Sequence, residues 1–277
     1  MHLLNLSIST NSFSNHWKIA KVTPLHKGGA RNDTNNYRPI SVLPILSKIL
    51  EKHVASSLSV FLRDNNLLYE LQSAFRSGHS TETALIRLTD QILKNMGNDE
   101  VTSLVFIDFR KAFDVIDHEL LSKKLSIYGA TPSSVASFKS YLSERKQFIS
   151  LGKATSTQLT VKQGVPQGSI LGPVLFLLFV NDMPLHVQKS TMDIYADDTT
   201  LSLSSNWKTL PLLNQSLSQD VNEVERWARE NKMYLNMQKT KALLVTGKRL
   251  RKRMVQDPGK LGVKRITQKL NKSQTIN

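Results

Sequence analysis

The chain has 277 residues, 40% of them hydrophobic, which is enough to bury the core of one or two domains. It has no cysteine, which excludes disulfide bonds and thiolate metal sites. The formal net charge of +15 favours a polyanionic partner, although a basic soluble protein or a membrane-surface binder is also compatible with it. The start of the chain lacks a signal-peptide pattern, and the longest apolar run, 170–180, is too short to span a bilayer.

The first hundred residues predict a strand followed by two helices. Residues 17–27 alternate apolar and basic side chains, which is typical of a strand. Residues 45–62 carry apolar side chains at helical spacing. Ser80 can cap a second helix. Five apolar side chains fall on one face of that helix and are predicted to be core residues: Ala84, Leu85, Leu88, Ile92 and Met96.

A buried strand and several helices are predicted in the middle of the chain. Residues 101–107 form a β-branched and aromatic run that Asp108 ends abruptly. Asp117 and Thr131 are predicted to cap two consecutive helices. A hairpin around Gly152 and a buried helix over the apolar run follow. The last predicted helix is amphipathic and spans about 210–231.

Two adjacent carboxylates, Asp197 and Asp198, lie between two runs that read as strands. Asp is poor in strand interiors, so we expect this pair to form the tight turn of a hairpin. Like charges side by side repel, which indicates a cation between them. Taken alone, however, the pair is better explained as a solvated hairpin tip.

The carboxylate that ends the buried strand changes this interpretation. If that strand lies beside the hairpin in one sheet, Asp108, Asp197 and Asp198 converge on one point. Oxygen ligands without His or Cys suit Mg²⁺, and Mn²⁺ is a possible substitute. Two such ions about 3.5–4 Å apart can activate a 3′-hydroxyl and stabilise leaving pyrophosphate. The chemistry indicated is nucleotidyl transfer.

Five short motifs, in order, resemble those of reverse transcriptases. Their particular residues are similar to those of non-LTR (LINE-type, jockey-like) retrotransposon polymerases. The motifs are 37–41 (YRPIS), 74–81 (AFRSGHST), 106–114 (FIDFRKAFD), 163–169 (QGVPQGS) and 195–198 (YADD). The resemblance covers about residues 17–247. Each motif alone is modest evidence, whereas five in order are highly specific.

The resemblance implies an α/β (α+β) fold: a right-hand polymerase palm, with an antiparallel sheet and helices, plus fingers. Fingers would span about 17–100 and the palm about 101–247, after a partial upstream segment at 1–16. The basic, lysine- and arginine-rich segment 248–277 is predicted to be disordered. A thumb is expected to be absent or truncated.

The resemblance also implies roles for individual residues. Asp108 and Asp197 would be the principal metal ligands, with Asp198 weaker or orienting, and these three are the predicted catalytic carboxylates. Tyr195 would support the primer end. Lys239, in a motif like the family's fourth palm motif, would protonate leaving pyrophosphate. Lys241 is its competitor, and a solvated lysine pair is the alternative.

Five further residues would bind the nucleotide. Lys27 and Arg38 would contact its triphosphate, which suits the guanidinium fork, although Lys27 could equally be a surface lysine. Gln167 and Gly168 would touch the substrate from a tight glycine-containing loop. Phe113 would crowd the sugar 2′ position and exclude ribonucleotides. Without the resemblance, Phe113 reads as a core residue.

The sequence therefore predicts an RNA-directed DNA polymerase that extends a DNA primer on an RNA template with dNTPs and two Mg²⁺ ions. No membrane partner is expected. By family habit the enzyme would be intracellular, acting in the nucleus and cytoplasm. The alternative is a truncated, inactive remnant that only binds nucleic acid.

Overall fold

The structure, a computed structural model, describes residues 2–256. The helices are α1 His2–Ser9, α2 Ile45–Asp64, α3 Thr81–Gly97, α4 His118–Ile127, α5 Pro132–Leu142, α6 Gly172–Val180, α7 Leu210–Glu230 and α8 Lys248–Gln256. The strands are β1 Ile19–His26, β2 Tyr37–Val42, β3 Glu100–Ile107, β4 Arg145–Leu151, β5 Ala154–Thr155, β6 Leu159–Val161, β7 Thr191–Tyr195, β8 Asp198–Asn206 and β9 Lys241–Val245.

Residue contacts divide the chain into two compact units that are interleaved in sequence. Unit 1 comprises Met1–Leu68 and Phe113–Val180. Of the described residues, unit 2 comprises Tyr69–Ala112 and 181–256. The boundary between fingers and palm near residue 100 stays a prediction.

Unit 1 is built on a mixed sheet in which β1 pairs antiparallel with β2 and parallel with β4. β5 and β6 both pair antiparallel with β4, which forms the predicted hairpin. Helices α4 and α5 begin where predicted, because the side chains of Asp117 and Thr131 accept backbone N–H groups of their first turns. The apolar run forms α6, whose residues are almost all buried, as expected.

Unit 2 contains a four-stranded antiparallel sheet in the order β7-β8-β3-β9. Helix α7 packs on one face of it, where Leu210 and Leu213 join a core cluster with Val101 of β3. Helix α3 lies on the opposite face, because the Asn95 side chain donates a hydrogen bond to Thr102 Oγ1 at 3.0 Å. Arg87 of the same helix forms an ion pair with Asp193 of β7. The sheet is therefore held between helices on both faces.

The prediction for the apolar face of α3 was partly wrong. Leu85 is 61% exposed, and the other four predicted core side chains are only partly buried. The fully buried residue of this helix is Asn95. Arg87 and Asn95, which make polar contacts with the sheet, lie three or four positions from the partly buried apolar residues and so share their face. The apolar spacing thus identified the packed face but overestimated its burial.

The predicted disordered tail also needs correction where the structure describes it. Residues Lys248–Gln256 form α8, and its Leu250 and Met254 are buried in the cluster that contains Val101. These two side chains are four residues apart and share a helix face, which explains why the segment is ordered despite its charge. The remainder of the predicted tail, 257–277, lies outside the described residues.

Among residues 2–256, no helix is long and apolar enough to cross a membrane.

Candidate active site

The sheet of unit 2 brings Asp108 beside the β7–β8 hairpin. Strand β3 pairs antiparallel with β8, and the last matched pair is Ile107 with Thr199. Continuing this register by one position places Asp108 opposite Asp198. Directly opposed residues have Cβ atoms about 4.5–5.5 Å apart. The expectation that the buried strand lies beside the hairpin in one sheet is confirmed.

The hairpin turn lies one residue earlier than predicted. Tyr195 of β7 is paired with Asp198 of β8, so the two loop residues are Ala196 and Asp197. Ala196 has φ +57°, in the left-handed region that two-residue hairpin loops require and that costs an L-residue about 1–2 kcal/mol. The prediction that Asp197 and Asp198 form the turn was therefore wrong, because Asp198 is the first residue of β8.

This register places three side chains on the same face at one end of the sheet. Tyr195 and Asp198 are a matched pair, and Asp108 continues the row. Ile107 and Thr199 point to the other face, where each is 2% exposed. The Asp108 side chain is 31% exposed. The carboxylates thus face solvent from a sheet whose opposite face is anchored in the core.

The acidic residues do not form a closed metal cage in this structure. Across residues 2–256, no group of three His, Asp or Glu side chains is close enough to hold a metal ion. Of the three predicted ligands, Asp108 immediately follows β3, Asp198 begins the neighbouring strand β8, and Asp197 lies in the loop before it. The donors are all carboxylate oxygens, which fit a hard divalent cation that keeps several positions for other ligands.

Lys239 lies close to the first of these carboxylates. Its Nζ is 3.9 Å from Asp108 Oδ2. The backbone N–H of Asn236 donates to the Asp108 carbonyl oxygen at 2.7 Å, and that of Lys239 donates to the Asn236 carbonyl oxygen at 3.0 Å. Lys241 lies in β9 opposite Phe106. Of the two competing lysines, Lys239 is the one in ion-pair range of Asp108.

Sequence reasoning missed Gln72, which supports the hairpin turn. Its side chain is buried, and its Oε1 accepts backbone N–H groups from Ala74 at 3.0 Å and from Ala196 at 3.4 Å. The flanking backbone also extends the sheet, because Ser73 N–H donates to the Ile194 carbonyl oxygen at 2.9 Å. Gln72 lies two residues before the AFRSGHST motif, but a single glutamine gives no signal of this contact.

The predicted triphosphate contacts lie on the β1–β2 hairpin of unit 1. Leu25 is paired with Arg38, and the backbone N–H of Lys27 donates to the Asn36 carbonyl oxygen at 2.8 Å. Alternation along the strands therefore puts Lys27 and Arg38 on the same face as diagonal neighbours. Both side chains are exposed. The arrangement offers two cations within reach of one polyanionic group.

The QGVPQGS loop packs tightly against this hairpin. The backbone N–H of Ser41 donates to the Gln167 carbonyl oxygen at 2.6 Å. Gly168 has φ +115°, and a Cβ there would meet the Ser41 carbonyl oxygen at 2.5 Å, so only glycine fits. Gln167 Nε2 donates to Asp114 Oδ1 at 2.8 Å. The side chain of Gln167 is thus held by Asp114, a residue to which sequence reasoning gave no role.

Phe113 is partly buried and stacks on Phe176 of α6. Their ring centroids are 4.2 Å apart with an interplanar angle of 21°. The Phe113 carbonyl oxygen also accepts the N–H of Val165 at 2.9 Å. Both the core interpretation and the sugar-gate interpretation of Phe113 require a fixed ring, so this contact is compatible with each.

His118, in the first turn of α4, contacts the QGVPQGS loop. Its Nε2–H donates to the Gly164 carbonyl oxygen at 2.8 Å. Gly164 itself has φ +83°, and a Cβ there would meet the Asp114 carbonyl oxygen at 2.6 Å. His118 therefore holds the QGVPQGS loop near its start, at Gly164, and Asp114 holds it at Gln167.

Comparisons with known proteins agree with this geometry. The family model described as reverse transcriptase (RNA-dependent DNA polymerase) matches residues 25–272. The chain is 36% identical over 213 residues to the probable RNA-directed DNA polymerase from transposon BS of Drosophila melanogaster, covering 74% of this chain and 23% of that protein. It is 31% identical over 246 residues to the RNA-directed DNA polymerase from mobile element jockey of the same organism, covering 86% and 26%.

These curated relatives are much longer proteins, of which the chain spans about a quarter. Among solved structures, apo telomerase from Candida tropicalis, truncated from its C-terminal domain, superposes with a TM-score of 0.59 and 12% identity. The match covers 84% of this chain and 51% of that one. The predicted resemblance and the α/β fold are confirmed.

Proposed function

Because the chain belongs to the reverse transcriptase family, we propose that it carries out RNA-directed DNA synthesis. It would add dNTPs to the 3′-hydroxyl of a DNA primer on an RNA template, as part of a non-LTR retrotransposon protein. The observation that carries the proposal is the register of β3 and β8, which sets Asp108 beside Asp198 and next to the loop with Asp197.

In unit 2, Asp108, Asp197 and Asp198 would hold two Mg²⁺ ions, for which Mn²⁺ could substitute. The ions would lower the pKa of the primer 3′-hydroxyl and stabilise the leaving pyrophosphate. Lys239, already within ion-pair range of Asp108, would give a proton to the pyrophosphate. Tyr195, on the same face as Asp198, would support the primer end.

In unit 1, Lys27 and Arg38 would bind the triphosphate through their shared exposed face. The QGVPQGS loop would approach the nucleotide with its backbone at Gly168 and with Gln167, whose amide Asp114 orients. The ring of Phe113, fixed by its stack on Phe176, would oppose a 2′-hydroxyl. The close approach of the β2 backbone at Ser41, which only glycine at position 168 allows, would hold the loop in place for these contacts.

Primer extension tests the proposal. The purified chain is given an RNA template, a DNA primer, Mg²⁺ and dNTPs, beside Asp197→Asn and the control Asp64→Asn, an exposed carboxylate paired with Arg63. We expect synthesis by the parent and the control, and none by Asp197→Asn, which should keep its fold and its affinity for the primer–template. Synthesis by Asp197→Asn, or its failure to fold, would contradict the metal-ligand role. Binding without synthesis by the parent would identify a remnant that only binds nucleic acid.

A further inference from the structure

Helix α8 of unit 2 is a strongly basic element to which the polymerase reaction assigns no role. Its nine residues include five lysine or arginine side chains and no carboxylate. All five are exposed: Lys248, Arg249, Arg251, Lys252 and Arg253. Arg253 lies 3.9 Å from a carboxylate oxygen of Asp99, and the other four have no ion pair within residues 2–256. Like charges at helical spacing repel, so an anionic partner would stabilise this surface.

The two apolar side chains that the structure describes in α8 already have a place in the fold. Leu250 and Met254 are 2% and 4% exposed and pack in the cluster that contains Val101. The five cations occupy the remaining sides of the helix. Leu250 and Met254 are therefore not available to enter a bilayer, as the apolar face of a membrane-surface helix does. A polyanion bound through its charge fits α8 better than a membrane does.

The basic surface of α8 lies far from the proposed metal site. Leu250 and Met254 pack on the face of the sheet to which Val101 points, whereas Asp108 points to the opposite face. Val101 is also near the start of β3, and Asp108 follows its end. At about 3.3 Å per residue, these two positions are about 23 Å apart along the strand. A nucleic acid held by α8 is therefore not the base pair that is being copied.

A partly exposed tryptophan accompanies this helix. Trp207, between β8 and α7, packs against the same cluster as Leu250 and remains partly exposed. Lys208, the next residue, is exposed and adds a cation. Proteins that bind single strands combine a basic surface with aromatic side chains on which unpaired bases stack. The cluster thus joins phosphate-binding side chains to an aromatic ring, a combination that favours a single strand over a duplex.

We propose that α8, together with Trp207, binds an unpaired strand of nucleic acid outside the primer–template base pairs. The cations contact the phosphodiester backbone, and a base stacks on the indole. This site goes beyond the proposed reaction, but its choice of a nucleic acid rests on the proposed function. Binding there needs neither Mg²⁺ nor synthesis. RNA and DNA strands share the backbone chemistry, and the experiment separates them.

Fluorescence anisotropy of the full chain with labelled oligouridylate and oligothymidylate tests the site. The variant carries Arg249→Gln, Arg251→Gln and Lys252→Gln, at exposed positions that leave the buried stripe of α8 intact. Each lost phosphate contact reduces the slope of log affinity against log salt by about 0.7 for a single strand. Between about 50 and 200 mM salt, the parent should therefore lose about 15- to 20-fold more affinity than the variant.

The matched control removes the same charge at three separate places. It carries Lys94→Gln in α3, Lys123→Gln in α4 and Lys189→Gln before β7, all at exposed positions. We expect it to keep nearly the salt dependence of the parent. Equal salt dependence of the control and the α8 variant would overturn the site, because net charge alone would then explain binding.

The choice of probe identifies the source of the strand. An α8 effect on either oligonucleotide supports the site, and the comparison of the two shows whether RNA or DNA is preferred. Vesicles of phosphatidylserine and phosphatidylcholine test the competing partner. If the α8 variant loses vesicle binding but binds both oligonucleotides as the parent does, the helix is a membrane contact and the proposal is overturned.

Tryptophan fluorescence tests the stacking contact without polymerase activity. The other two tryptophans, Trp17 and Trp227, are buried, so quenching by oligouridylate should report Trp207. We expect quenching in the parent and in Asp197→Asn, and little in Trp207→Phe. Equal quenching in Trp207→Phe would overturn the stacking contact. A parent that makes no DNA but shows both effects would refute the proposed function and support the α8 site, whereas synthesis without either effect would refute the site alone.

Discussion

The Oε1 atom of Gln72 lies 3.4 Å from the backbone nitrogen of Ala196, the left-handed residue of the β7–β8 turn. The same oxygen accepts the N–H of Ala74 at 3.0 Å. A single buried amide thus supports the loop that carries Asp197, from a segment more than a hundred residues earlier in the chain. Gln72 is a positioning residue in this arrangement, because it acts on Asp197 through the turn.

Gln72→Met keeps the length of the side chain and removes the acceptor. Two buried N–H groups then lose their partner, at a cost of about 1–3 kcal/mol each. We expect a lower kcat for primer extension and a higher Mg²⁺ concentration for half-maximal rate. The control is Gln215→Met, at an exposed position of α7. An unchanged Mg²⁺ dependence would show that Gln72 only stabilises the fold.

Asp198→Asn should stabilise the chain when divalent ions are removed with EDTA. Asp198 lies opposite Asp108 by register, and like charges directly opposite destabilise a strand pair by about 0.2–1 kcal/mol. Asp193→Asn on the same hairpin should do the reverse, because it leaves the Arg87 guanidinium unpaired. Thermal melts with and without Mg²⁺ measure the change in melting temperature of each variant and so test both predicted directions. Stabilisation by Mg²⁺ should be smaller in Asp198→Asn than in the parent. A lower melting temperature of Asp198→Asn in EDTA would refute the repulsion.

Gly168→Ala and Gly28→Ala form a matched pair. The two glycines have nearly the same φ, +115° and +118°, so we expect a similar backbone strain when either is replaced by alanine. Only at Gly168 does the added Cβ meet a backbone oxygen, that of Ser41 at 2.5 Å, whereas Gly28 has nothing within 4 Å. Urea unfolding should therefore show an extra destabilisation of about 1–3 kcal/mol for Gly168→Ala. We also expect a higher KM for dNTP. Equal unfolding free energies would contradict the close packing of the loop on β2.

Three substitutions separate the two possible roles of the lysine near Asp108. Lys239→Ala should lower the single-turnover rate of nucleotide addition by about 10²-fold or more if it is the general acid. Lys239→Arg keeps a cation near Asp108 but cannot release a proton, so it should be almost as slow. Lys241→Ala is the matched control and should leave the rate nearly unchanged. Recovery of the rate by Lys239→Arg would assign the lysine to charge compensation instead.

Phe113→Val tests the sugar gate. A smaller side chain should raise ribonucleotide incorporation relative to deoxyribonucleotide incorporation, measured as the ratio of kcat/KM values. The control is Phe179→Leu, a fully buried phenylalanine of α6 outside the stack, which should lower the melting temperature without changing sugar preference. If Phe113→Val lowers stability and leaves sugar preference unchanged, Phe113 is a core residue only.

Much of the fold was predictable because periodicity and caps are local signals. The buried strand before Asp108, the capped helices after Asp117 and Thr131, and the apolar helix α6 all formed as expected. The motif order identified the family without any knowledge of contacts. The metal role of the carboxylates stays a prediction. The strand register shows that the carboxylates are neighbours, but it does not show that they bind an ion.

The errors arise where tertiary contacts outweigh local preference. Alanine rarely adopts positive φ, so nothing local indicated that Ala196 rather than Asp198 occupies the turn. The segment that forms α8 is rich in basic residues, and this composition led to the prediction of disorder. The four-residue spacing of Leu250 and Met254 was the signal in the sequence that indicated a helix. Gln72 could not be found from sequence, because its contact with Ala196 joins distant parts of the chain.

The carboxylates differ in how firmly the sheet holds their backbones. Asp108 follows β3, which is hydrogen-bonded to strands on both sides. Asp197 lies in a two-residue loop at the tip of a hairpin. On warming, fraying of that tip would displace Asp197 while β3 remains protected. Loss of catalysis would then precede the cooperative melt, and heat inactivation would be reversible over an interval of temperature below it.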